Sequence, residues 1–471
     1  MQRIDASRRE FLRTSSLLSV LGPAGMPFAL NLATIGAAAA QTADDYRALV
    51  CVFFFGGNDH HNTVIATDTA SWSEYLRLRA APPDPIALAA PGAAGGVLPV
   101  EPVSLQSGRS FALHPNLGPL KSLFDAGRVA IVANVGPLIA PMSKAQYNTN
   151  SVLRPPKLFS HNDQQSTWQA YAPEGSRYGW GGRMGDLLAS RNAASTFTCM
   201  SLSGNAVWLA GQTTLQYQVG PNGAIPIAGL SGSQFGSPVA ASVLRSIVTA
   251  DRPHLLEREI NRVSARSIDA QAALNAAMLA DSAVAPVPLV PGTTQRNALA
   301  AQLQTVARVI GGRGALGARR QVFFVGLGGF DTHDRQRVNH GNLMAQVGQA
   351  LEYFDALLAS AAVNALNEVT LFTASDFGRT LTSNGDGTDH GWGAHHFVSG
   401  GAVRGKDIYG RFPVVGVNTD DDVGQGRLLP AVSVDQYAGT LARWFGLSGA
   451  QVDEVFPNLR NFPVTNLGFM T

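Results

Sequence analysis

Three apolar runs constrain this chain more than any other feature: residues 48–55 (ALVCVFFF), 321–326 (QVFFVG) and 369–374 (VTLFTA). They are too uniformly apolar for strands that keep one face in water, and read as strands buried on both faces of a mostly parallel sheet. Each runs into a turn crowded with polar side chains. The first is followed by Gly56-Gly57-Asn58-Asp59-His60-His61-Asn62-Thr63, the second by Gly328-Gly329-Phe330-Asp331-Thr332-His333-Asp334. The third opens the stretch 375–396, which holds Asp376, Arg379, Asp389, His390, His395 and His396. Helical patterns over 297–310 and 343–362 precede the second and third runs. Right-handed crossovers of that kind bring the carboxyl ends of parallel strands to one edge, where open α/β sheets carry their chemistry. The expected fold class is therefore α/β, a doubly wound sheet sandwiched by helices.

The remaining stretches fit this frame. A helix from about Leu113 to Phe124 leads to a further strand over 127–136, and residues 196–202 read as another. Residues 179–186 read as a Gly-rich turn entering a helix, 213–237 as a hairpin or a cover, and 435–445 as a terminal helix. Residues 237–285 are helical in pattern, with paired charges at Glu257, Arg258, Glu259 and Arg262 suited to an exposed face. They read as an insertion in a single domain spanning 41–471. That length suits one large α/β domain.

The first forty residues read as an address. Arg8-Arg9 precede Phe11-Leu12, an apolar Gly/Ala-rich segment follows, and Ala37-Ala38-Ala39-Ala40 offers a cleavage site. This resembles a bacterial twin-arginine signal, implying the twin-arginine export machinery as a partner and a periplasmic or secreted protein. Four arginines against two acids in that segment account for the whole net charge of +2, so the rest is close to neutral and nucleic acid is not an expected partner. No later run approaches the ~18 apolar residues of a membrane span. Cys51 and Cys199 are too few for a zinc-thiolate site and read as buried thiols or one pair.

Asp59, the Asp331/His333 pair, and Asp376 with His390 thus sit after three strands expected to end together. Mixed carboxylate and imidazole donors suit Zn, Mn, Fe or Ni better than Ca or Mg. One or two divalent ions would be held there, and a pair about 4 Å apart would clamp an in-line displacement. Each cluster alone reads equally as a polar turn or helix cap. His161 stands between a site loop and a structural role. Of the adjacent pairs His60/His61 and His395/His396, neighbouring side chains on a strand diverge. The Arg379 fork suits a phosphate or sulfate oxyanion, or else a buried ion pair.

These residues also carry a resemblance. Gly56-Gly57-Asn58-Asp59, Ser160-His161-Asn162-Asp163, Gly328-Gly329-Phe330-Asp331-Thr332-His333, Ser375-Asp376-Phe377-Gly378-Arg379-Thr380 and Gly387-Thr388-Asp389-His390-Gly391-Trp392-Gly393 are similar to the bacterial family called domain of unknown function 1501. The resemblance implies the fold of the alkaline phosphatase and sulfatase superfamily, with metals at the carboxyl ends of the strands. It implies Asp59, Asp331, His333, Asp376 and His390 as metal ligands, with Phe377 where that superfamily has a histidine. His161, Asn58 and Asp389 are further candidates. Thr63 is the best-placed nucleophilic hydroxyl. Two functions follow as expectations: an exported metal-dependent hydrolase of small-molecule or polymeric phosphate or sulfate esters, or a catalytically degenerate metal-binding protein for periplasmic binding or assembly on the same fold.

Overall fold

A computed structural model describes residues 45–471 apart from 107, 222, 231–235 and 238; the export signal expected over 1–40 lies outside the described residues. Thirteen strands are described. In chain order they are β1 (Arg47–Phe54), β2 (Val64–Ala66), β3 (Leu98–Val100), β4 (Phe111–Leu113), β5 (Val129–Gly136), β6 (Cys199–Ser201) and β7 (Tyr217–Gly220). There follow β8 (Gly223–Ala224), β9 (Arg320–Leu327), β10 (Val369–Ser375), β11 (Ala394–Ser399), β12 (Asp407–Tyr409) and β13 (Val432–Ser433). The main sheet runs β12-β5-β11-β10-β1-β9-β6-β7-β8, with β13 also paired to β5. The short strands β2, β4 and β3 form a separate antiparallel sheet.

The three apolar runs are the three central strands. β1 lies between β9 and β10, parallel to both, and Phe54 stands opposite Leu327 on one side and Ser375 on the other. All three chains therefore leave the sheet at one level, which brings the polar turns together. Alternate residues Leu49, Cys51 and Phe53 join Val322, Phe324 and Phe372 in a core with Trp168, Trp180, Trp208 and Tyr437. Their neighbours Val50, Val52 and Phe54 are buried on the opposite face. Helices at Ala298–Gly311 and Trp180–Leu188 pack on β9, and Val434–Phe445 packs on β1 and β5. The result is a mixed α/β fold with a mostly parallel central sheet; β11 breaks the pattern by running antiparallel to β10 and β5.

Local readings shift where packing overrides propensity. Gly181, Gly182 and Gly185 lie inside the helix Trp180–Leu188 rather than in a turn, with Gly179 as its extended N-cap. A Cβ on Gly182 would fall 2.2 Å from the Ala210 carbonyl carbon, so glycine lets this helix press onto the neighbouring chain despite its poor helix propensity. The strand expected over 196–202 shortens to β6, because Ser195–Phe197 coils into a 3-10 turn first. Residues 237–285 contain helices at Ala240–Thr249 and Leu255–Ala277. Cys51 and Cys199 are buried free thiols, and β9 runs between their strands. Two strand spacings of ~4.8 Å put their Cα atoms beyond the ~7 Å a disulfide spans. Among the described residues no helix is long and apolar enough to cross a membrane.

Candidate metal centre

The turn after β1 passes beneath the turn after β9 at Gly56. Its φ of +115° is one that glycine tolerates, and a Cβ there would lie 2.3 Å from the Asp331 backbone nitrogen. Asp331 and His333 project from the β9 turn, His390 from the loop between β10 and β11, and His161 from the first residue of the helix His161–Ala170. Ligating atoms of His161, Asp331 and His390 all lie within 4.8 Å of one another. His161 Nε2 is 3.4 Å from Asp331 Oδ2, and His390 Nε2 is 3.4 Å from Asp331 Oδ1. His333 Nε2 lies beside this group, 3.0 Å from both Asp331 Oδ1 and His390 Nε2.

Each imidazole is held by its other nitrogen. His390 Nδ1 donates to the Phe159 carbonyl at 2.8 Å, so its Nε2 carries a lone pair. His161 Nδ1 lies 2.6 Å from Asp376 Oδ2, and His333 Nδ1 3.3 Å from Asp389 Oδ1. His390 therefore turns an Nε2 lone pair toward the Asp331 carboxylate, and His161 does the same when its Nδ1 proton goes to Asp376. His161 Nε2 is buried with no hydrogen-bond partner. Lone pairs at such distances repel unless a proton or a cation stands among them. Ligands bonded at ~2.0–2.1 Å to one tetrahedral ion stand about 3.3 Å apart, and the observed spacings bracket that value. The donor set fits a divalent ion, with the carboxylate and carbonyl partners on the far ring nitrogens that orient metal-binding histidines.

Charge at the cluster is tuned in two senses, the Asp331 and His390 shifts favouring the forms a metal takes and the His161 shift favouring its protonated form in the metal-free state. Burial pushes the Asp331 carboxyl up, but the Arg379 guanidinium outweighs it and holds that carboxyl below its ordinary range. Burial lowers His390, favouring the neutral form a metal needs. The Asp376 hydrogen bond raises His161.

The sequence candidates separate into three groups. Asp331, His333, His390 and His161 meet at the centre. Asp376 stands outside that group; it is fully buried behind His161, its Oδ2 also accepts from the Gln165 side chain at 2.9 Å and the Gly56 amide at 3.1 Å, and its buried Oδ1 has no hydrogen-bond partner. Asp389 likewise backs His333. Phe377, at the position of the missing histidine, is a buried floor with its ring centre 4.8 Å from that of His161 and 4.7 Å from that of His390.

Asp59, Thr63, Asn58 and Arg379 stand apart from that group, and protein partners take up their polar atoms. Both Asp59 oxygens are engaged by Arg79, at 2.6 and 2.9 Å, and Gln336 Nε2 adds a contact at 2.6 Å. The pair is wholly buried. Thr63 donates to the Asp59 carbonyl at 2.8 Å and is sealed from solvent. Asn58 lies beneath it, bonded to Thr63 and His340. Arg379 donates to Gly56 O and Asp331 Oδ1, both at 2.9 Å, and to the Thr388 hydroxyl and carbonyl. It anchors Asp331 and has no side open to solvent. Asp59→Asn should thus destabilise the fold by about 3–5 kcal/mol by stranding the buried Arg79 charge, while leaving metal affinity within a few-fold. Urea unfolding beside a metal titration checks this; loss of metal binding at unchanged stability would restore Asp59 as a ligand.

Sequence reasoning passed over Arg79, Gln165, Gln336 and the Phe159 carbonyl. Only Phe159 bears a conformational mark, a φ of +72° that a bulky residue rarely adopts. No periodicity reports it.

The class so defined is a mixed α/β protein with a His/Asp cluster at the carboxyl edge of a mostly parallel sheet. The chain belongs to the family described as "Protein of unknown function (DUF1501)", whose pattern it matches over residues 46–456. No curated protein matches it. Solved structures similar to it include Ps i-CgsB in complex with k-i-k-neocarrahexaose, at 11% identity and a TM-score of 0.34, covering 89% of this chain and 77% of that one. Ps i-CgsB alone aligns at 11% identity and a TM-score of 0.33, over 88% and 77% of the two chains. Scores of that size carry neither fold detail nor activity across.

Proposed function

We propose that this chain is an exported metal-dependent hydrolase of phosphate or sulfate esters, on an alkaline phosphatase-like sheet. The observation that supports it most is the convergence of His161, His390 and the Asp331 carboxylate, both imidazoles fixed through Nδ1, with His333 Nε2 beside them. In this reading His161, His333, His390 and Asp331 hold one ion, with Zn, Mn or Fe suited to the donors. A divalent ion in such a site supplies Lewis-acid polarisation of an ester oxygen. Asp376 and the Phe159 carbonyl keep His161 and His390 aimed, and Arg379 keeps Asp331 ionised. Thr63 is sealed, so water is the nucleophile. The twin-arginine pattern of residues 1–40 supports export to the periplasm or beyond.

A second reading, a metal-binding protein without turnover, is favoured by one observation: Thr63 and Arg379 are both consumed by the fold. Chelated protein reloaded with Zn, Mn or Fe and assayed on aryl phosphates and aryl sulfates separates the two. The hydrolase reading expects near one ion per chain and turnover that vanishes on chelation. Stoichiometric metal without turnover on any ester would favour the second reading, and failure to bind any of the three ions would remove both.

A further inference from the structure

With Arg379 enclosed, an anionic substrate needs another cation at the rim of the centre. We infer that Arg427 is that group, forming a subsite for a tetrahedral oxyanion, phosphate or sulfate, beside the metal centre. This rests on the reading above that His161, His333, His390 and Asp331 bind a metal.

Arg427 is half-buried and fixed against two parts of the centre. Its Nε donates to the backbone carbonyl of His390 at 2.6 Å, and its guanidinium carbon lies 5.2 Å from the centre of the Phe159 ring. Those are the ligand histidine and the residue whose carbonyl orients it. Nη1 makes one long bond, 3.3 Å, to the Gly424 carbonyl. Around the centre Arg79 pairs with Asp59 and Arg379 with Asp331, whereas no described carboxylate pairs with Arg427. A half-buried guanidinium carries five donors, and the described bonds use Nε and Nη1 only.

The arginine is also preorganised. Its loop is pinned by Asp422, which accepts from the amides of Asn418, Gly424 and Gly426, and the Arg427 amide donates back to Gly424. A rigid, planar fork stacked on an aromatic ring, with donors to spare, matches the paired oxygens of a phosphate or sulfate. A lysine would keep the charge and lose the fork.

The test uses zinc-loaded full chain, with inorganic phosphate and inorganic sulfate titrated calorimetrically into the wild type, Arg427→Lys and Arg427→Gln. The expected result is a Kd for at least one anion raised about 10- to 100-fold in both variants, the loss typical of one charge-assisted contact. Zinc affinity, measured alongside, should stay within a few-fold, which a merely structural role would not predict. An unchanged anion Kd in both variants, or no anion binding by zinc-loaded wild type, overturns the inference. Failure of wild type to bind zinc, manganese or iron sinks the underlying metal reading instead, and anion binding to that metal-free protein that still depends on Arg427 would uphold the subsite alone.

Discussion

His390→Ala or His161→Ala should lower zinc affinity by on the order of 10²–10³, the share of one ligand in a four-ligand site worth ~10–16 kcal/mol. Asp376→Asn should cost less, about 10- to 100-fold, because it removes the partner that fixes the His161 ring and leaves Nε2 in place. His333→Ala should fall below the other two histidines, since its side chain is 43% exposed and its Nδ1 contact with Asp389 is the longest of the three, at 3.3 Å. Competition against a chromophoric chelator gives these affinities, and thermal melts of the metal-free variants show that the fold survives. The order matters more than any single value. Equal, small losses across His161, His390 and Asp331 would mean that the cluster is a polar surface rather than a coordination site. A larger loss from Asp376→Asn than from His161→Ala would make Asp376 the ligand, as its place at a strand end suggests.

That contest between Asp376 and His161 shows where sequence reading stops. The three central strands are legible because burial on both faces removes polar alternation, and their common edge follows from parallel pairing. That Asp331, His333 and His390 meet at one place is legible from the same pairing, since the turn after β9 and the loop after β10 leave the sheet at one edge. Asp59 meets that criterion equally well, yet its carboxylate turns inward. Its direction is set by Arg79, a residue twenty positions away on another element, and by a left-handed turn at Gly56. Nothing in the spacing of either residue encodes the pairing. Phe377 makes the complementary point: its ring packs 4.8 Å from that of His161, a neighbour more than two hundred positions away that no local spacing announces. Contacts between distant segments decide which carboxylate faces the histidine cluster, which lies behind it and which pairs with a buried arginine.

The metal-free protein should lose most of its stability between pH 7.5 and pH 5.5. Six histidines away from the ligand set are buried: His60, His61, His114, His340, His395 and His396. Burial is the largest cause in every case and drives each below its ordinary value, His340 to about 4 and His114 and His396 to about 3. These rings stay neutral in the fold, while the unfolded chain takes up their protons near pH 6.5. Their stabilising effect is therefore complete above about pH 7 and is lost as pH falls toward the depressed folded values. At pH 5.5 each costs about 1.4 kcal/mol, and six together about 8 kcal/mol, comparable with the ~5–15 kcal/mol that holds a typical domain folded. Close packing prevents an easy escape, since the His60 and His61 ring centres are 3.9 Å apart, those of His60 and His395 5.2 Å, and neither His60 nitrogen has a partner. His161, raised by Asp376, acts in the opposite sense, but one partly exposed group cannot offset six buried ones. Urea midpoints at pH 7.5, 6.5 and 5.5 in the presence of chelator read the effect. A midpoint flat across that range would show that these imidazoles gain protons in the folded state, and that water or charge reaches the ground behind the centre.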